Sequence, residues 1–277
     1  MVSDALKIED AKVLITVKAY PKPSGKYEEL VCTAGLLNGK DWIRIYPVPF
    51  RLLNDSGKYP KYAWIQLNLE RRVERDFRPE SYKPEKGIHE TIKVLKKIDT
   101  KNKWKERKDI ILQNVYTSMD KLITESKAPT HKSLATLKPK EILDIKAEET
   151  DRDWPENWKR YLIENDLFEE NKEGIRKPIR KIPYNFSYIF TTEDNTKRKL
   201  KIEDWEIGAL FWNCLKQSKN DETRAVELVE QKLWSLTEKD LHFFVGTTLQ
   251  YHTRNVLNPF IIIGLFYPPV DKQQYLF

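Results

Sequence analysis

The chain has 277 residues, of which 49 are Lys or Arg and 42 are Asp or Glu, so its formal net charge is +7. A 40% share of apolar residues and a 12% share of aromatic residues exclude an intrinsically disordered chain, and 9 Gly with 15 Pro exclude a collagen-like one. The sequence has only two Cys and no apolar run of about 18 residues, so we expect a cytoplasmic protein without a membrane span, a disulfide framework or a Cys-based zinc site.

The first eighty residues are typical of a small β domain. Apolar runs and alternating patterns predict strands over 12–20, 27–37, 41–46 and 64–69. Asn38-Gly39 favours a tight turn between the second and third strands, because both residues accept a positive φ. Four short strands in this space predict a small antiparallel β-sheet or barrel.

The middle and the end of the chain carry helical patterns. Apolar residues spaced by three or four predict a helix over 104–127. Further on, the patterns predict a ββααββ unit with strands over 183–192, through Leu200 and Ile202, over 241–249 and over 260–267, and helices over 204–216 and 221–237. The predicted fold class is therefore α+β, with a β-rich N-terminal domain (1–82), a basic and acidic helical middle region (83–180) and an α+β C-terminal domain (181–277).

Charge is segregated along the chain. Residues 83–110 hold ten Lys or Arg against five acids, a net +5, and residues 172–201 hold nine against three, a net +6. Such basic blocks neutralise phosphates in nucleic-acid-binding proteins, although Lys-rich solvated surfaces have the same composition. Residues 141–171 hold four basic residues against eleven acids, a net −7, and this acidic segment could dock a protein partner.

An aromatic-basic pattern in the N-terminal sheet is the strongest candidate site. Trp42, Arg44 and Tyr46 alternate with Ile43 and Ile45, so they share one strand face. An exposed face of this kind stacks single-stranded bases and holds their phosphates, whereas a strand between two core layers would show the same alternation. The predicted nucleic-acid-binding residues are Trp42, Arg44, Tyr46, Arg51, Lys61, Trp64, Arg78, Lys105, Arg107, Arg176, Arg180, Arg198 and Arg254.

Catalytic motifs do not occur in the sequence. It contains no GxxxxGK[ST], GxGxxG, GxSxG, HExxH or CxxC, so we predict no catalytic residue, no cofactor and no metal ligand. One alternative is a metal-dependent nuclease that uses Asp204, Glu206 and either His242 or His252. Against it, side chains two residues apart on a helix point about 200° apart, and helix capping explains Asp204 without a metal.

Six blocks are similar to those of a known group of proteins: VLITVKAYP, ELVCTAG, WIRIYPVPFR, DWEIGALFWNCL, LHFFVGTTLQYH and PFIIIGLFYPP. Over about residues 12–268 they resemble an uncharacterised prokaryotic protein family. The resemblance implies an independently folded prokaryotic protein and brings no activity, cofactor or catalytic residue with it.

The residues together predict a nucleic-acid-binding or nucleic-acid-associated protein. The partner would be DNA or RNA, held as a single strand or by its backbone, without catalysis by this chain. The alternatives are the metal-dependent nuclease, or another nucleic-acid-processing enzyme, and a protein-interaction subunit that docks through the acidic 141–171 segment.

Overall fold

The structure is a computed structural model that describes residues 5–24, 28–48, 50, 53, 57–87, 90–156 and 179–270. Its strands are β1 (Lys7–Lys18), β2 (Lys22–Ser24), β3 (Glu28–Leu37), β4 (Asp41–Val48), β5 (Ala63–Arg71), β6 (Ser81–Pro84), β7 (Lys93–Lys97), β8 (Val115–Tyr116), β9 (Leu134–Leu137), β10 (Glu141–Glu149), β11 (Tyr184–Thr191), β12 (Arg198–Lys201), β13 (His242–Thr247) and β14 (Phe260–Phe266). Its helices are α1 (Lys101–Ile111), α2 (Met119–Glu125), α3 (Trp205–Gln217), α4 (Glu222–Thr237) and α5 (Leu249–Thr253).

Five N-terminal strands close a barrel. Their order is β1-β3-β4-β6-β5, and β5 pairs back with β1. All neighbours in the ring are antiparallel except β4 and β6, which are parallel. Alternate residues of each strand fill the barrel interior, among them Val13, Ile43 and Ile65. The predicted α+β fold class with a small N-terminal barrel is confirmed.

The turn between β3 and β4 forms where the sequence predicts it. Asn38 and Gly39 have φ of 51° and 73°, the left-handed region that Asn and Gly accept most readily. The turn sets the register in which Leu37 faces Asp41 and Gly35 faces Ile43. This register directs Ile43 and Ile45 into the barrel and their neighbours outward.

The C-terminal half contains two further sheets. One has the order β10-β11-β12 and the other β14-β13-β9-β8. Helices α3 and α4 pack against them through a core that includes Phe211, Leu233, Tyr188 and Phe243. The predicted strand and helix types of the ββααββ unit are found in the order β11, β12, α3, α4, β13, β14, with the short α5 between the last two.

The single helix predicted over 104–127 is wrong. Helix α1 ends at Ile111, β8 follows, and α2 begins after Ser118, whose side chain accepts a hydrogen bond from the backbone N–H of Lys121. Strand β8 pairs in parallel with β9. Ile111, Val115 and Met119 have the four-residue spacing of one helix face, but they belong to three successive short elements.

Strands within 83–180 join the two ends of the chain. Strand β7 pairs with β5 of the barrel, whereas β9 pairs with β13 and β10 with β11. The outer barrel residues Val17 and Leu36 share a hydrophobic cluster with Phe244 and Ile263 of the C-terminal sheet. The barrel and the C-terminal region therefore meet in a packed junction.

Candidate nucleic-acid interface

The outer face of β4 is covered by the C-terminal region. Trp42 packs edge to face against Phe244, with the ring centroids 5.4 Å apart. Arg44, on the same strand, is buried with only 4% of its surface exposed. The C-terminal sheet packs on this side of the barrel and buries Arg44, the middle residue of the three. The expectation that Trp42, Arg44 and Tyr46 form one exposed surface is therefore wrong.

The guanidinium of Arg44 ties the two parts of the chain together. It donates to the hydroxyls of Ser81 (3.1 Å) and Ser133 (2.8 Å). It also donates to the carbonyls of Ser133 (3.2 Å) and Thr247 (3.4 Å). Ser133 in turn donates its N–H and its hydroxyl to the Glu80 carboxylate, at 3.0 and 2.8 Å. Arg44 and Glu80 of the barrel thus both have partners in the C-terminal region.

Arg78 is the second buried cation of the junction. Its Nε and Nη2 donate to the two oxygens of Asp76 at 2.7 and 2.6 Å, and its Nη1 donates to the Thr247 carbonyl at 2.6 Å. Burial alone would raise the pKa of Asp76, but the hydrogen bonds and charge of Arg78 outweigh it and the pKa falls below its ordinary value. Arg78 is therefore buried inside the junction, and the prediction that it belongs to an exposed nucleic-acid-binding surface is wrong.

An open groove of about 1250 Å³ lies beside this network, between the barrel and the C-terminal region. We call it the junction groove. Its walls come from the start of β4, the β5–β6 loop (72–80), the β8 segment and residues 129–132. Its cations are Lys40, Arg71, Lys121 and Lys132, its acids are Asp41, Glu80 and Glu193, and its rings are Trp42, Phe77, Tyr116 and His131.

Flat rings and cations stand next to one another in the junction groove. Phe77 is 41% exposed and its ring lies 5.0 Å from His131, edge to face. Tyr116 has the ammonium groups of Lys121 and Lys132 at 5.8 and 5.5 Å from its ring centroid. These distances are those of cation–π pairs, so the cations are held close to the ring.

Two acids of the junction groove, Glu80 and Glu193, accept hydrogen bonds from neighbouring residues. Glu80 is buried and accepts the two hydrogen bonds from Ser133. Glu193 is exposed and accepts a hydrogen bond from the Thr117 hydroxyl at 2.6 Å. The open surface therefore carries four cations together with Asp41 and Glu193, a modest positive balance.

Lys61 and Arg107 come together on another part of the junction. The Lys61 ammonium lies 3.0 Å from Asp204 and 2.9 Å from Glu206. Burial by itself would lower the pKa of Lys61, but the two carboxylates raise it above its ordinary value. Arg107 is buried over the Tyr62 ring, 3.9 Å from its centroid. Neither cation lies on the open surface that the sequence predicted.

The remaining predicted residues are scattered. Tyr46 is half-buried beneath the guanidinium of Arg72, 5.1 Å from the ring centroid, and Trp64 is half-buried on β5. Lys105 pairs with Asp109, Arg198 pairs with Asp120, Arg180 lies over the Trp212 ring, and Arg254 is exposed after α5. Arg51 and Arg176 lie outside the described residues.

The histidines considered for a metal site are engaged in local hydrogen bonds. His242 Nδ1 donates to the Asp240 carbonyl (2.9 Å). His252 Nε2 donates to the Ser126 carbonyl (2.5 Å), so its Nδ1 accepts from the Thr247 hydroxyl (3.0 Å). Burial lowers the pKa of both histidines. In the residues that the structure describes, no three His, Cys, Asp or Glu side chains are grouped to hold a metal ion.

Asp204 and Glu206 converge, contrary to the helical geometry expected for them. Asp204 has φ −100° and ψ 135°, so it precedes the helix and its Oδ1 accepts from the Glu206 N–H at 3.0 Å. This extended residue allows both carboxylates to reach the same point, which the Lys61 ammonium occupies. Helix capping by Asp204 is confirmed.

Apart from Trp42, sequence reasoning missed the rings and cations that line the junction groove. Phe77, Tyr116, Lys121 and Lys132 come from three separated segments, none of which carries a motif. The one available signal was Phe77, a large apolar ring in the otherwise charged stretch Arg75–Arg78. An aromatic residue in a charged loop is a reasonable indicator of an exposed contact.

The acidic segment is described only up to residue 156, so Trp158 and residues 157–171 lie outside the described residues. Strand β10 forms the edge of its sheet, with β11 on one side. Two of its acids are paired, Asp144 with Lys146 (3.0 Å) and Glu148 with Lys199 (2.5 Å). Trp154 donates its indole N–H to the Ile179 carbonyl at 2.8 Å, so this ring is anchored locally.

Comparison with known proteins divides the chain into two matched domains. Residues 9–113 match the domain of unknown function DUF8758, and residues 115–277 match the domain of unknown function DUF8757. The boundary falls between α1 and β8, where the barrel segment ends. A search of curated proteins found no match. Among the described residues, no helix has both the length and the apolar character needed to cross a bilayer.

Proposed function

We propose that this chain, which belongs to the DUF8757 family of domains of unknown function, binds single-stranded nucleic acid in the junction groove without catalysis of its own. The observation that carries the proposal is an open groove lined both by the exposed ring of Phe77 and by Tyr116 with its two lysines. Rings stack bases and neighbouring cations hold phosphates, which is the general mode of single-strand binding.

The shape of the junction groove suits a flexible strand better than a duplex. Its rings lie on short segments of different elements, with Trp42 at the start of β4, Phe77 on the β5–β6 loop and Tyr116 on β8. Bases must be unstacked from one another to reach rings placed in this way. A duplex, whose bases are already stacked and paired, would offer only its phosphates.

The barrel topology supports the same ligand class. In chain order the ring runs first, second, third, fifth, fourth and back to the first, with the third and fifth strands parallel. This is the strand order of OB-fold barrels, which bind oligonucleotides or oligosaccharides on the second and third strands and the adjoining loops. Here the C-terminal region covers much of that face, and the junction groove lies at its edge.

Binding of a fluorescently labelled single strand of about 12 nucleotides, followed by anisotropy, tests the proposal. Raising the salt from about 50 to about 200 mM should weaken binding strongly, because counterions are released when lysines meet phosphates. DNA and RNA strands of the same sequence, each compared with its duplex, identify the polymer. No binding of any strand at low salt would contradict the proposal.

A pair of matched variants separates the groove from general surface effects. Phe77→Ala removes a ring that is 41% exposed, and we expect affinity to fall by about fivefold or more, the value of one base stacked on one ring. Trp234→Ala removes a ring of 42% exposure on α4, away from the groove, and should bind as the wild type does. Equal affinities for the two variants would count against the groove.

The other expectations from the sequence have less support. A nuclease centred on Asp204 and Glu206 finds both carboxylates bound to Lys61. Docking of a protein partner through the acidic segment and residence in the cytoplasm stay predictions. Cleavage of the labelled strand that stops in Asp204→Ala but not in Phe77→Ala would favour the enzyme over the binding protein.

A further inference from the structure

A second, smaller pocket of about 390 Å³ opens where the barrel, α1 and the start of α3 meet. We call it the aromatic pocket, because four rings line it: Tyr62, Trp104, Trp205 and Tyr267. The Trp104 ring lies 5.5 Å from Tyr267 and 6.3 Å from Tyr62. The pocket shares no lining residue with the junction groove, and its volume is in the range of small-molecule sites.

The charge of the aromatic pocket is positive. Lys61 is offset by Asp204 and Glu206, but three more cations, Lys18, Lys97 and Arg107, line it as well. Lys18 and Arg107 donate hydrogen bonds to the backbone carbonyls of Tyr59 and Ile98, which carry no formal charge. Burial, followed by the charge of Lys61, lowers the pKa of Lys18, as expected where cations are crowded. An anion would relieve this repulsion.

Hydrogen-bond donors also face the aromatic pocket. The phenol side chains of Tyr62 and Tyr267 both line the pocket. Burial raises the pKa of both phenols, so each keeps its proton at neutral pH and remains a donor. Arg107 completes the floor, with its guanidinium 3.9 Å from the Tyr62 ring and 4.9 Å from the Trp104 ring.

Two of these rings belong to residues whose backbone conformation is strained. Tyr62 and Trp104 both have φ of 64°, in the left-handed region that large side chains rarely adopt. The strain at Tyr62 is supported by hydrogen bonds from its N–H to Ile15 (2.6 Å) and from the Ile98 N–H to its carbonyl (2.8 Å). Strained residues of this kind cluster at ligand sites, where a fixed geometry has a use.

We propose that the aromatic pocket binds a nucleoside monophosphate, either free or as the terminal nucleotide of a strand, with the base against the rings and the phosphate near Lys97 and Lys18. Aromatic walls alone would also suit a methylated ammonium group, but the surplus of cations repels one. The proposal does not depend on the junction groove, because the two sites have separate linings.

Titration calorimetry with the four nucleoside 5′-monophosphates, the four nucleosides and inorganic phosphate tests this site. We expect one saturable site per chain, with at least one nucleotide bound more tightly than its nucleoside and than phosphate. No saturation by any nucleotide at millimolar concentration and low salt would overturn the proposal.

Two variants separate the phosphate contact from the base contact. Lys97→Gln should weaken nucleotide binding by about three- to tenfold and leave nucleoside binding unchanged, since it removes one charge-assisted contact. Tyr267→Ala should weaken the nucleotide and the nucleoside alike. Lys93→Gln, an exposed lysine on the same strand as Lys97 but outside the pocket, is the matched control. Wild-type affinity in both pocket variants would also overturn the proposal.

One further ligand, a dinucleotide, identifies the source of the nucleotide. A 5′-phosphorylated dinucleotide that binds as tightly as the mononucleotide supports the end of a strand, and a much weaker one supports a free nucleotide. Lys121→Gln and Lys132→Gln should leave mononucleotide binding unchanged, so loss of groove binding and loss of pocket binding are distinguishable.

Discussion

The ammonium nitrogen of Lys61 lies 3.0 Å from a carboxylate oxygen of Asp204, and the two side chains are only 4% and 1% exposed. Lys61 precedes β5 of the barrel and Asp204 caps α3 of the C-terminal region. The pair therefore fastens the two matched domains to each other, and Glu206 adds a third charge from the more exposed side.

Removing Lys61 should destabilise the protein strongly. Lys61→Met leaves the buried Asp204 carboxylate without its cation, for which we expect a loss of about 3–5 kcal/mol in the free energy of unfolding, measured with urea. Lys105→Met is the control, because Lys105 pairs with Asp109 at 2.7 Å on the surface. An exposed pair contributes at most about 1 kcal/mol. Similar losses in both variants would therefore contradict the conclusion that the Lys61–Asp204 pair fastens the two domains.

Arg44 should contribute to stability through the junction. Arg44→Met removes the donor to the hydroxyls of Ser81 and Ser133, and we expect a loss of about 1–3 kcal/mol in the free energy of unfolding, the cost of a buried group left unsatisfied. Hydrogen exchange should rise in β9 and β13 before the interior strands of the barrel. Arg254→Met, at an exposed position, should change neither the free energy of unfolding nor the hydrogen exchange.

The stability of the protein should fall between about pH 7 and 5 because of two buried histidines. Burial lowers the folded-state pKa of His242 and His252 below the unfolded value of about 6.5. The unfolded chain then binds more protons in this range, so unfolding becomes easier as the pH falls through 6.5 towards the folded pKa. His252→Gln keeps one donor and one acceptor but cannot titrate, so the free energy of unfolding should depend less on pH. An unchanged dependence on pH would show that the pKa of His252 is the same in the folded and unfolded chain.

Local features of this protein were predictable from the sequence because they depend on near neighbours. The turn at Asn38-Gly39, the alternation of Ile43 and Ile45 with their neighbours, and the capping of α3 by Asp204 all arise from residues within a few positions of one another. Backbone preferences and the two-residue period of a strand are sufficient for these.

The sequence could not predict which faces are covered. Alternation placed Trp42, Arg44 and Tyr46 on one side of β4, but the partners of Arg44 lie 89 and 203 residues further along the chain. The length of the helix over 104–127 was misjudged for a related reason, since β8 exists only because β9 is there to pair with it.

Composition, strand and helix types and the turn were thus determined by the sequence itself, through short-range sterics and hydrogen bonding. The junction groove, the aromatic pocket and the Lys61–Asp204 pair were decided by the tertiary structure alone. The physical reason is that packing two hydrophobic faces together brings distant polar groups into contact, and no local period records which distant groups will meet.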